Sequence, residues 1–299
     1  MLRILYGEAG TGKSAAIMDE IRRSEGSEVR CILLVPEQYS HEAERELCSV
    51  CGDGLSLYAE VLSFTGLARE VSAECGGTAE EFLDKGGRLL CMALAADGLY
   101  SRLRVYGAAR HRAEIQTMLL GAVDELKSAC VTSEQLLAAA DSCEGALGDK
   151  LFDLGLILEA YDGVVANGSA DPADRLSVLA GQIERSSIGA DTHVFVDGFT
   201  DFTAQERRVL EALMLSGAYL TVCLSCDDLG EGSEVFALGR ITASALLRFA
   251  ADNGIETEKT RWTGESTKRR PLSVFAENMF SCRAVEKSDP DGCIRIVTA

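Results

Sequence analysis

The residues best suited to chemistry lie near the N-terminus, where the sequence matches the signature G-x-x-x-x-G-K-[ST]. Glycines allow a backbone with positive φ, so that successive N–H groups can face one anion, and a following helix adds the partial positive charge of its N-terminal end. The lysine of such a loop reaches the β- and γ-phosphates of a nucleotide, and the next hydroxyl ligates Mg²⁺. The predicted nucleotide-binding residues are Gly7, Glu8, Ala9, Gly10, Thr11, Gly12, Lys13 and Ser14, and Ser14 is also a predicted metal ligand.

The sequence on either side of this loop supports a nucleotide site. The segment "LRILY" at 2–6 is typical of a short strand, and Ile17 and Ile21 give the following segment an apolar face at helical spacing. The alternative is a glycine turn before a helix, with no ligand.

A second motif would complete a magnesium site. The segment "THVFVDGF" at 192–199 is typical of a buried strand that Asp197 closes. A carboxylate there can hold Mg²⁺ through water; the alternative is an Asp that caps the turn after the strand. Helicase-type ATPases usually have Glu next, where this chain has Gly198, and Asp201 and Glu206 follow without the usual spacing. We therefore expect ATP and Mg²⁺ to bind, with weak or absent hydrolysis.

Alternating segments predict the fold class. Strands are expected at 31–36 and 57–64 with a helix at 39–51 between them, which favours an α/β fold with a parallel sheet flanked by helices. The next hundred or so residues are rich in Ala, Leu, Glu and Arg, with apolar residues at three- and four-residue steps. This pattern predicts an inserted all-helical subdomain, with helices at 79–97, 109–128, 133–141, 150–167 and 173–185.

Strand-like sequence returns at "HVFVDGF" and "YLTVCLS", with a helix between them and another at 241–253. Polar residues dominate 254–271, and the final "CIRIVTA" alternates like a strand without a partner, which suggests a truncated chain. The predicted domains are 1–65 as the first part of the sheet core, 66–188 as the helical insertion, 189–255 as the second part of the core, and 256–299 as a linker and the start of a truncated second domain.

Composition limits the classes of function. The 299 residues carry a formal charge of −18, which opposes long-range attraction to nucleic acid, so any DNA contact must be local or depend on a partner. No apolar run approaches the ~18 residues of a membrane span and no secretory signal is visible, so a cytoplasmic location is expected. The eleven cysteines include the pairs Cys48/Cys51 and Cys223/Cys226, which we interpret as small core residues, with a metal or redox role as the alternative.

The order of these motifs resembles the AddB (RexB) subunit family of the bacterial AddAB helicase–nucleases. The likeness runs through the whole chain in "GEAGTGKS", "LLVPEQYSHEAERELC", "AEVLSFTGLAREVSAECGG", "DELKSACVTSEQL", "FVDGFTDFTAQERRVL" and "IRIVTA". The resemblance implies a P-loop, RecA-like core of superfamily 1 helicases with a helical 1B-like insertion. It also implies an AddA-type partner that carries the working motor, ATP-dependent resection of DNA ends for double-strand break repair by recombination, and a role in recognising Chi.

The resemblance further implies which parts lie elsewhere. The nuclease and the iron–sulfur cluster of the family belong to its far C-terminal part, so no cysteine here is expected to ligate that cluster and no nuclease site is expected in this chain. A helicase Q-motif, which reads adenine, would precede the loop, where six residues stand before Gly7. A second RecA-like domain would normally close over the nucleotide, so weaker binding than in a full subunit is expected.

Related helicases bind single-stranded DNA with the loop after the second strand and the segment after the third. The corresponding positions here are Glu37, Gln38, Tyr39, Ser63, Phe64 and Thr65. Two aromatic rings would stack on bases and two hydroxyls would contact phosphate. The alternative is that Phe64 is a core residue and that the hydroxyls cap the next helix.

The densest basic stretch, "RLRVYGAARHR", is a second candidate contact for DNA or a partner. Its cationic residues are Arg102, Arg104, Arg110, His111 and Arg112. The alternative is a solvated helix face whose arginines pair with nearby acids.

A stand-alone P-loop kinase or NTPase with a helical lid is the alternative function. Such a lid usually presents arginines to the phosphates, whereas this insertion is long and mostly acidic and apolar. The likeness through the whole chain therefore favours the AddB-type interpretation.

Overall fold

Six parallel strands form a sheet whose carboxyl ends lie along one edge. The computed structural model describes residues 1–76, 82–166 and 168–264, together with 272, 274 and 275. The strands of this range are β1 (Leu2–Gly7), β2 (Arg30–Leu34), β3 (Ala59–Leu62), β4 (Thr192–Val196), β5 (Tyr219–Ser225) and β6 (Thr257–Arg261). Their order across the sheet is β3-β2-β4-β5-β1-β6. The predicted α/β class, with a parallel sheet flanked by helices, is confirmed.

Ten α-helices lie in the described part of the chain. They are α1 (Lys13–Arg23), α2 (Ser40–Cys51), α3 (Phe64–Glu74), α4 (Lys85–Gly98), α5 (Ala113–Ser128), α6 (Ser133–Ser142), α7 (Ala146–Val165), α8 (Arg175–Gln182), α9 (Ala204–Leu215) and α10 (Ala237–Asp252). Helix α4 begins at Lys85 rather than at the predicted 79, because Asp84 accepts the Gly87 N–H at 2.7 Å and caps the helix there. Helix α3 was not predicted, since the strand expected at 57–64 covers its first residue.

Contacts divide the chain into two compact units, and the sheet belongs to the first. This unit consists of Met1–Phe64, Ile188–Asp201 and the chain from Leu213 onward. Ile17 and Ile21 of α1 are 1% and 0% exposed and pack in one cluster with Leu33 of β2 and Phe195 of β4. Each such side chain contributes about 1.5–3 kcal/mol when fully buried. The apolar face of α1 therefore fixes this helix on the sheet directly after β1.

Strand β6 is an edge strand that the sequence did not reveal. It pairs in parallel with β1, from Leu2 opposite Thr257 to Tyr6 opposite Arg261. Its sequence, TEKTR, is polar and mostly exposed, which is usual for the edge of a sheet because charges there oppose pairing with another chain. Residues 257–261 therefore belong to the sheet rather than to the linker predicted from 256.

The second unit is helical and consists of Thr65–Ser187 and Phe202–Ala212. Its apolar core includes Met92, Val123 and Ile157, each 0% exposed. The predicted helical segments at 109–128, 133–141 and 150–167 correspond to α5, α6 and α7, and α7 begins earlier, at Ala146.

A buried carboxylate links the helices of the second unit. Asp171 is 2% exposed and pairs with Arg88 at 2.9 Å and with Lys127 at 3.2 Å. Burial alone would raise the pKa of Asp171, but the N–H of Ala173 and the charges of Lys127 and Arg88 hold that pKa below its ordinary value. Removing both cations would leave the charge of Asp171 buried and uncompensated, and breaking such a buried pair costs about 3–5 kcal/mol.

Some sequence predictions fall outside the described residues. The predicted C-terminal strand "CIRIVTA" at 293–299 and the first residues of the helix predicted at 79–97 are among them. Among the helices that are described, none combines the length and the apolar character needed to cross a lipid bilayer.

The sheet contains one buried imidazole with a consequence for stability. The ring of His193 stacks on Phe195 and Tyr219, with centroids 3.7 and 4.2 Å away, and Nε2 lies 2.8 Å from Oγ1 of Thr221. Burial, aided by the charge of Arg3, lowers the pKa of His193 to about 3. Below its unfolded pKa the imidazole gains a proton only when the protein unfolds, so acid destabilises the fold.

We expect wild type to lose about 1.4 kcal/mol more unfolding free energy between pH 7.5 and pH 5.5 than His193→Gln, because the unfolded imidazole titrates near 6.5. Denaturant unfolding at the two pH values measures this difference. The control is His41→Gln, which makes the same substitution at a histidine whose side chain is 97% exposed. The same pH dependence in wild type and His193→Gln would contradict the assignment.

Candidate nucleotide-binding site

The loop between β1 and α1 turns through glycines in left-handed conformations. Strand β1 ends at Gly7 and α1 begins at Lys13. Gly10 and Gly12 have φ values of 80° and 84°, which side chains disfavour. The N-terminal end of α1, with the partial positive charge of a helix N-terminus, therefore lies at the edge where the strands end.

Lys13 folds back over this loop. The residue is 7% exposed, and its Nζ donates to the carbonyl oxygens of Gly7 at 2.8 Å and Glu8 at 2.6 Å. The hydroxyl of Thr11 also donates to the Glu8 carbonyl, at 2.8 Å. The loop is thus a compact turn with an ammonium group inside it, and a phosphate oxygen would compete with neutral carbonyls for the protons of that group.

Ser14 and Asp197, the predicted metal ligands, line one cavity of about 360 Å³. Asp197 follows β4, and its backbone N–H donates to the Leu34 carbonyl at 3.0 Å, which fixes its position beside β2. Tyr39 and Gly198 line the same cavity. A hydroxyl and a carboxylate are oxygen ligands of the kind that Mg²⁺ prefers, so the donor set of this cavity fits that ion.

A thiol accompanies the carboxylate. Cys223 of β5 is 4% exposed, and burial together with its hydrogen bond to Asp197 raises the pKa of the thiol far above its ordinary value. The thiol is therefore protonated at neutral pH and donates to the carboxylate. The charge of Lys13 acts to lower the pKa of the same thiol. The side chains of Lys13, Cys223 and Asp197 therefore lie close to one another.

Backbone geometry explains the residue after Asp197. Gly198 has a φ of 82°, and a Cβ at this position would lie 3.2 Å from Cδ of Pro36. A glutamate at this position would therefore be strained, at a cost of about 1–3 kcal/mol. Further along, the side chain of Glu206 accepts the N–H of Thr203 at 2.8 Å and caps α9, so it already has a structural role.

Trp262 contacts the loop, although the sequence analysis did not select it. Its indole N–H donates to the Thr11 carbonyl at 2.8 Å, and its backbone N–H donates to the Tyr6 carbonyl at 2.7 Å. The residue follows β6 directly, so the failure to predict this edge strand also concealed the contact. A lone tryptophan after a polar stretch was the one available signal.

The residues predicted to contact DNA near the sheet edge differ in exposure. Gln38 and Tyr39 lie in a short 3₁₀ turn, and Tyr39 is 49% exposed, so its ring is accessible to a base. Ser63 and Phe64 are buried, and the ring of Phe64 packs edge-on against Phe199 at 5.5 Å. The prediction that Phe64 stacks on a base was therefore wrong, because its ring belongs to the core. Thr65 is half-buried in α3.

Two arginines of the basic stretch pair with acids. Arg104 pairs with Asp149 at 2.9 Å and lies over the ring of Phe152. Arg110 pairs with Asp97 at 3.1 Å and lies over the ring of Tyr100. Both guanidinium groups are therefore held in place on aromatic faces.

The other two arginines are exposed, and neither Arg102 nor Arg112 forms an ion pair with the described residues. The backbone between them is fixed by Asp153, which is 0% exposed. Its carboxylate accepts three successive backbone N–H groups, at 2.8, 2.8 and 3.0 Å, from Arg104, Val105 and Tyr106.

Comparisons with known proteins identify the family to which the chain belongs. The family model described as "ADDB, N-terminal" matches residues 4–274. The B-type subunit of the ATP-dependent helicase/deoxyribonuclease of Desulforudis audaxviator is 33% identical over 313 residues, covering 100% of this chain and 27% of the relative. The protein with the same name from Thermoanaerobacter sp. (strain X514) is 32% identical over 291 residues, covering 94% and 25%. The chain thus spans about a quarter of the length of these curated relatives.

The geometry at Gly198 leads to a prediction for Gly198→Glu. A side chain at this φ costs about 1–3 kcal/mol, so the variant should unfold at a lower temperature than wild type and release phosphate from ATP no faster. Melting curves and a phosphate-release assay measure both effects. Gly181→Glu is the control, since it makes the same charge change in α8 where a Cβ meets no atom within 4 Å. Wild-type stability together with faster phosphate release in Gly198→Glu would contradict this account.

Proposed function

The chain belongs to the family of AddB N-terminal regions, and we propose that it is the nucleotide-binding, helicase-like part of an AddB-type subunit. The single observation that carries the proposal is the loop Gly7–Ser14, with Lys13 inside it and Asp197 on the neighbouring cavity wall. The family match through residues 4–274 favours this function over a stand-alone kinase with a helical lid.

The ligand that fits the loop best is ATP with Mg²⁺. Backbone N–H groups at the start of α1 and the ammonium of Lys13 would bind the phosphates, and Ser14 and Asp197 would hold the ion directly and through water. The bound ion would neutralise charge on the β- and γ-phosphates. In the chain itself, Cys223 orients Asp197 and the glycines keep the loop backbone accessible to an anion.

We propose that hydrolysis by this chain is weak or absent. Activation of the attacking water needs a base beside Asp197, and the next residue is a glycine whose left-handed conformation disfavours any side chain. Glu206, a candidate further along the sequence, is engaged in the cap of α9. ATP would therefore act here as a bound ligand rather than as a source of energy through hydrolysis.

The whole protein is proposed to work in a complex. The relatives are named as one subunit of an ATP-dependent helicase/deoxyribonuclease, and such a subunit implies a partner and DNA as substrate. We propose an AddA-type partner, a cytoplasmic location, and ATP-dependent resection of DNA ends in double-strand break repair. In this proposal the second unit corresponds to a 1B-like insertion into a RecA-like core.

Calorimetric titration of the 299-residue chain with Mg·ATP tests the nucleotide site. Wild type should bind, and Lys13→Ala should bind about 10- to 100-fold more weakly, because hydrogen bonds to a charged group contribute about 1.5–3 kcal/mol. Phosphate release followed in parallel should stay near background for both proteins.

Lys150→Ala is the matched control, since it removes one exposed lysine of the second unit and should bind as wild type does. Equal affinities of wild type and Lys13→Ala would overturn the site. Robust turnover that disappears in Lys13→Ala would leave the site in place and overturn the proposal of weak hydrolysis.

We also propose that Arg102 and Arg112 contact the phosphates of single-stranded DNA. Their neighbours Arg104 and Arg110 already pair with acids, so the guanidinium groups of Arg102 and Arg112 are better placed for a ligand. The chain is acidic as a whole, so the contact would be local and weak at physiological salt.

Fluorescence anisotropy with a labelled oligo-dT at several salt concentrations tests this contact. Replacing both Arg102 and Arg112 with Ala should weaken binding and reduce the slope of log K against log salt by about 0.7 for each lost phosphate contact. The double variant Arg23→Ala/Arg248→Ala removes the same charge from exposed positions of the first unit and serves as the control. A similar loss in both double variants would show that only net charge matters.

A further inference from the structure

Trp262 spans the glycine-rich loop from one end to the other. Its backbone N–H donates to the carbonyl of Tyr6, the residue just before the loop, at 2.7 Å. Its indole N–H donates to the carbonyl of Thr11, the residue just before Gly12, at 2.8 Å. One residue after β6 thus holds the loop at its first and last turns.

The packing around Trp262 is close enough to require glycine twice. A Cβ on Gly7 would lie 2.5 Å from the Trp262 carbonyl oxygen. A Cβ on Gly264 would lie 2.2 Å from the Thr11 carbonyl oxygen and 2.6 Å from the indole nitrogen. Because these are backbone or ring atoms, neither contact could be relieved by rotating a flexible side chain. Residues 262–264 therefore pack directly against the loop, with no space for a Cβ at either glycine.

The indole bond fixes more than one carbonyl. A trans peptide unit is planar, so its C=O and N–H point in opposite directions. With the Thr11 carbonyl held toward Trp262, the N–H of Gly12 points away from the indole, at the position that immediately precedes α1. The half-buried ring packs against the core cluster of the first unit, which keeps the donor itself in place.

We propose that Trp262 is a positioning residue for the triphosphate, which fixes the loop N–H groups in their binding orientation before the ligand arrives. The inference rests on the proposed function of the loop and names a residue outside the signature. A preorganised loop loses less conformational freedom on binding, so removal of the indole donor weakens affinity rather than the fold. Because the indole N–H bonds directly to the Thr11 carbonyl, its magnetic resonance signal reports changes in the loop.

A nuclear magnetic resonance titration of the labelled 299-residue chain uses this signal. The chain contains one tryptophan, so its proton–nitrogen spectrum contains one indole signal. Addition of Mg·ATP should shift that signal in wild type in proportion to the bound fraction measured by calorimetry. Lys13→Ala, which is expected to bind more weakly, should show a smaller shift at the same concentrations.

Calorimetry on variants tests the positioning role. Trp262→Phe keeps an aromatic ring without the donor and should bind Mg·ATP about 3- to 10-fold more weakly, the effect of one neutral hydrogen bond. Gly264→Ala displaces the Thr11 carbonyl and should weaken binding as well. Thr257→Ala, at the far end of β6 and exposed, should bind as wild type does, which separates the loop contact from a general effect on the strand.

The outcomes separate the inference from the proposed function. Absence of Mg·ATP binding by wild type would overturn both. Binding with an unmoved indole signal, or with equal affinity in wild type, Trp262→Phe and Gly264→Ala, would overturn the positioning role and leave the nucleotide site intact. If Trp262→Phe does not fold, the wild-type titration and Gly264→Ala still decide the question.

Discussion

Parallel pairing of β1 with β5 on one side and β6 on the other is the constraint on which the candidate site depends. This register sets Gly7 opposite Ser225, and the N–H of Cys226 donates to the Gly7 carbonyl at 3.1 Å. The β4–β5 pairing sets Val196 opposite Val222, so Asp197 comes at the same edge. A slip of one residue would exchange the faces of a strand and separate the carboxylate from the loop.

Buried cations lie at two places in a molecule whose net charge is strongly negative. The chain carries −18 overall, yet the ammonium of Lys13 lies buried within the loop. In the second unit, Arg88 and Lys127 surround the buried carboxylate of Asp171. Bulk electrostatics would repel a triphosphate, so the proposed binding of one at this site would depend on directed N–H groups and one ammonium at short range. Such a site depends on fixed geometry, which gives the packing of residues 262–264 its importance.

The predictable part of the structure was the part whose signals are local. A glycine signature, alternating apolar segments and helical periodicity predicted the loop, five of the strands and most of the long helices. Strand β6 was missed because an exposed edge needs no apolar residues, and Trp262 was missed with it. The burial of Phe64 was only one of two alternatives, since its contact with Phe199 joins residues far apart in sequence. The sequence shows glycine at 198, where helicase-type ATPases usually have glutamate. The left-handed backbone conformation that explains this glycine is visible only in the structure.

The bonds of Asp153 fix the backbone of the basic stretch on α7. Three adjacent amides share one buried carboxylate, so releasing any of them exposes a charge that the other two must still satisfy. Release of this segment one bond at a time is therefore unfavourable. A polyanion that binds the flanking arginines would meet a backbone that is already fixed in position. Little conformational entropy of this segment would therefore be lost on binding.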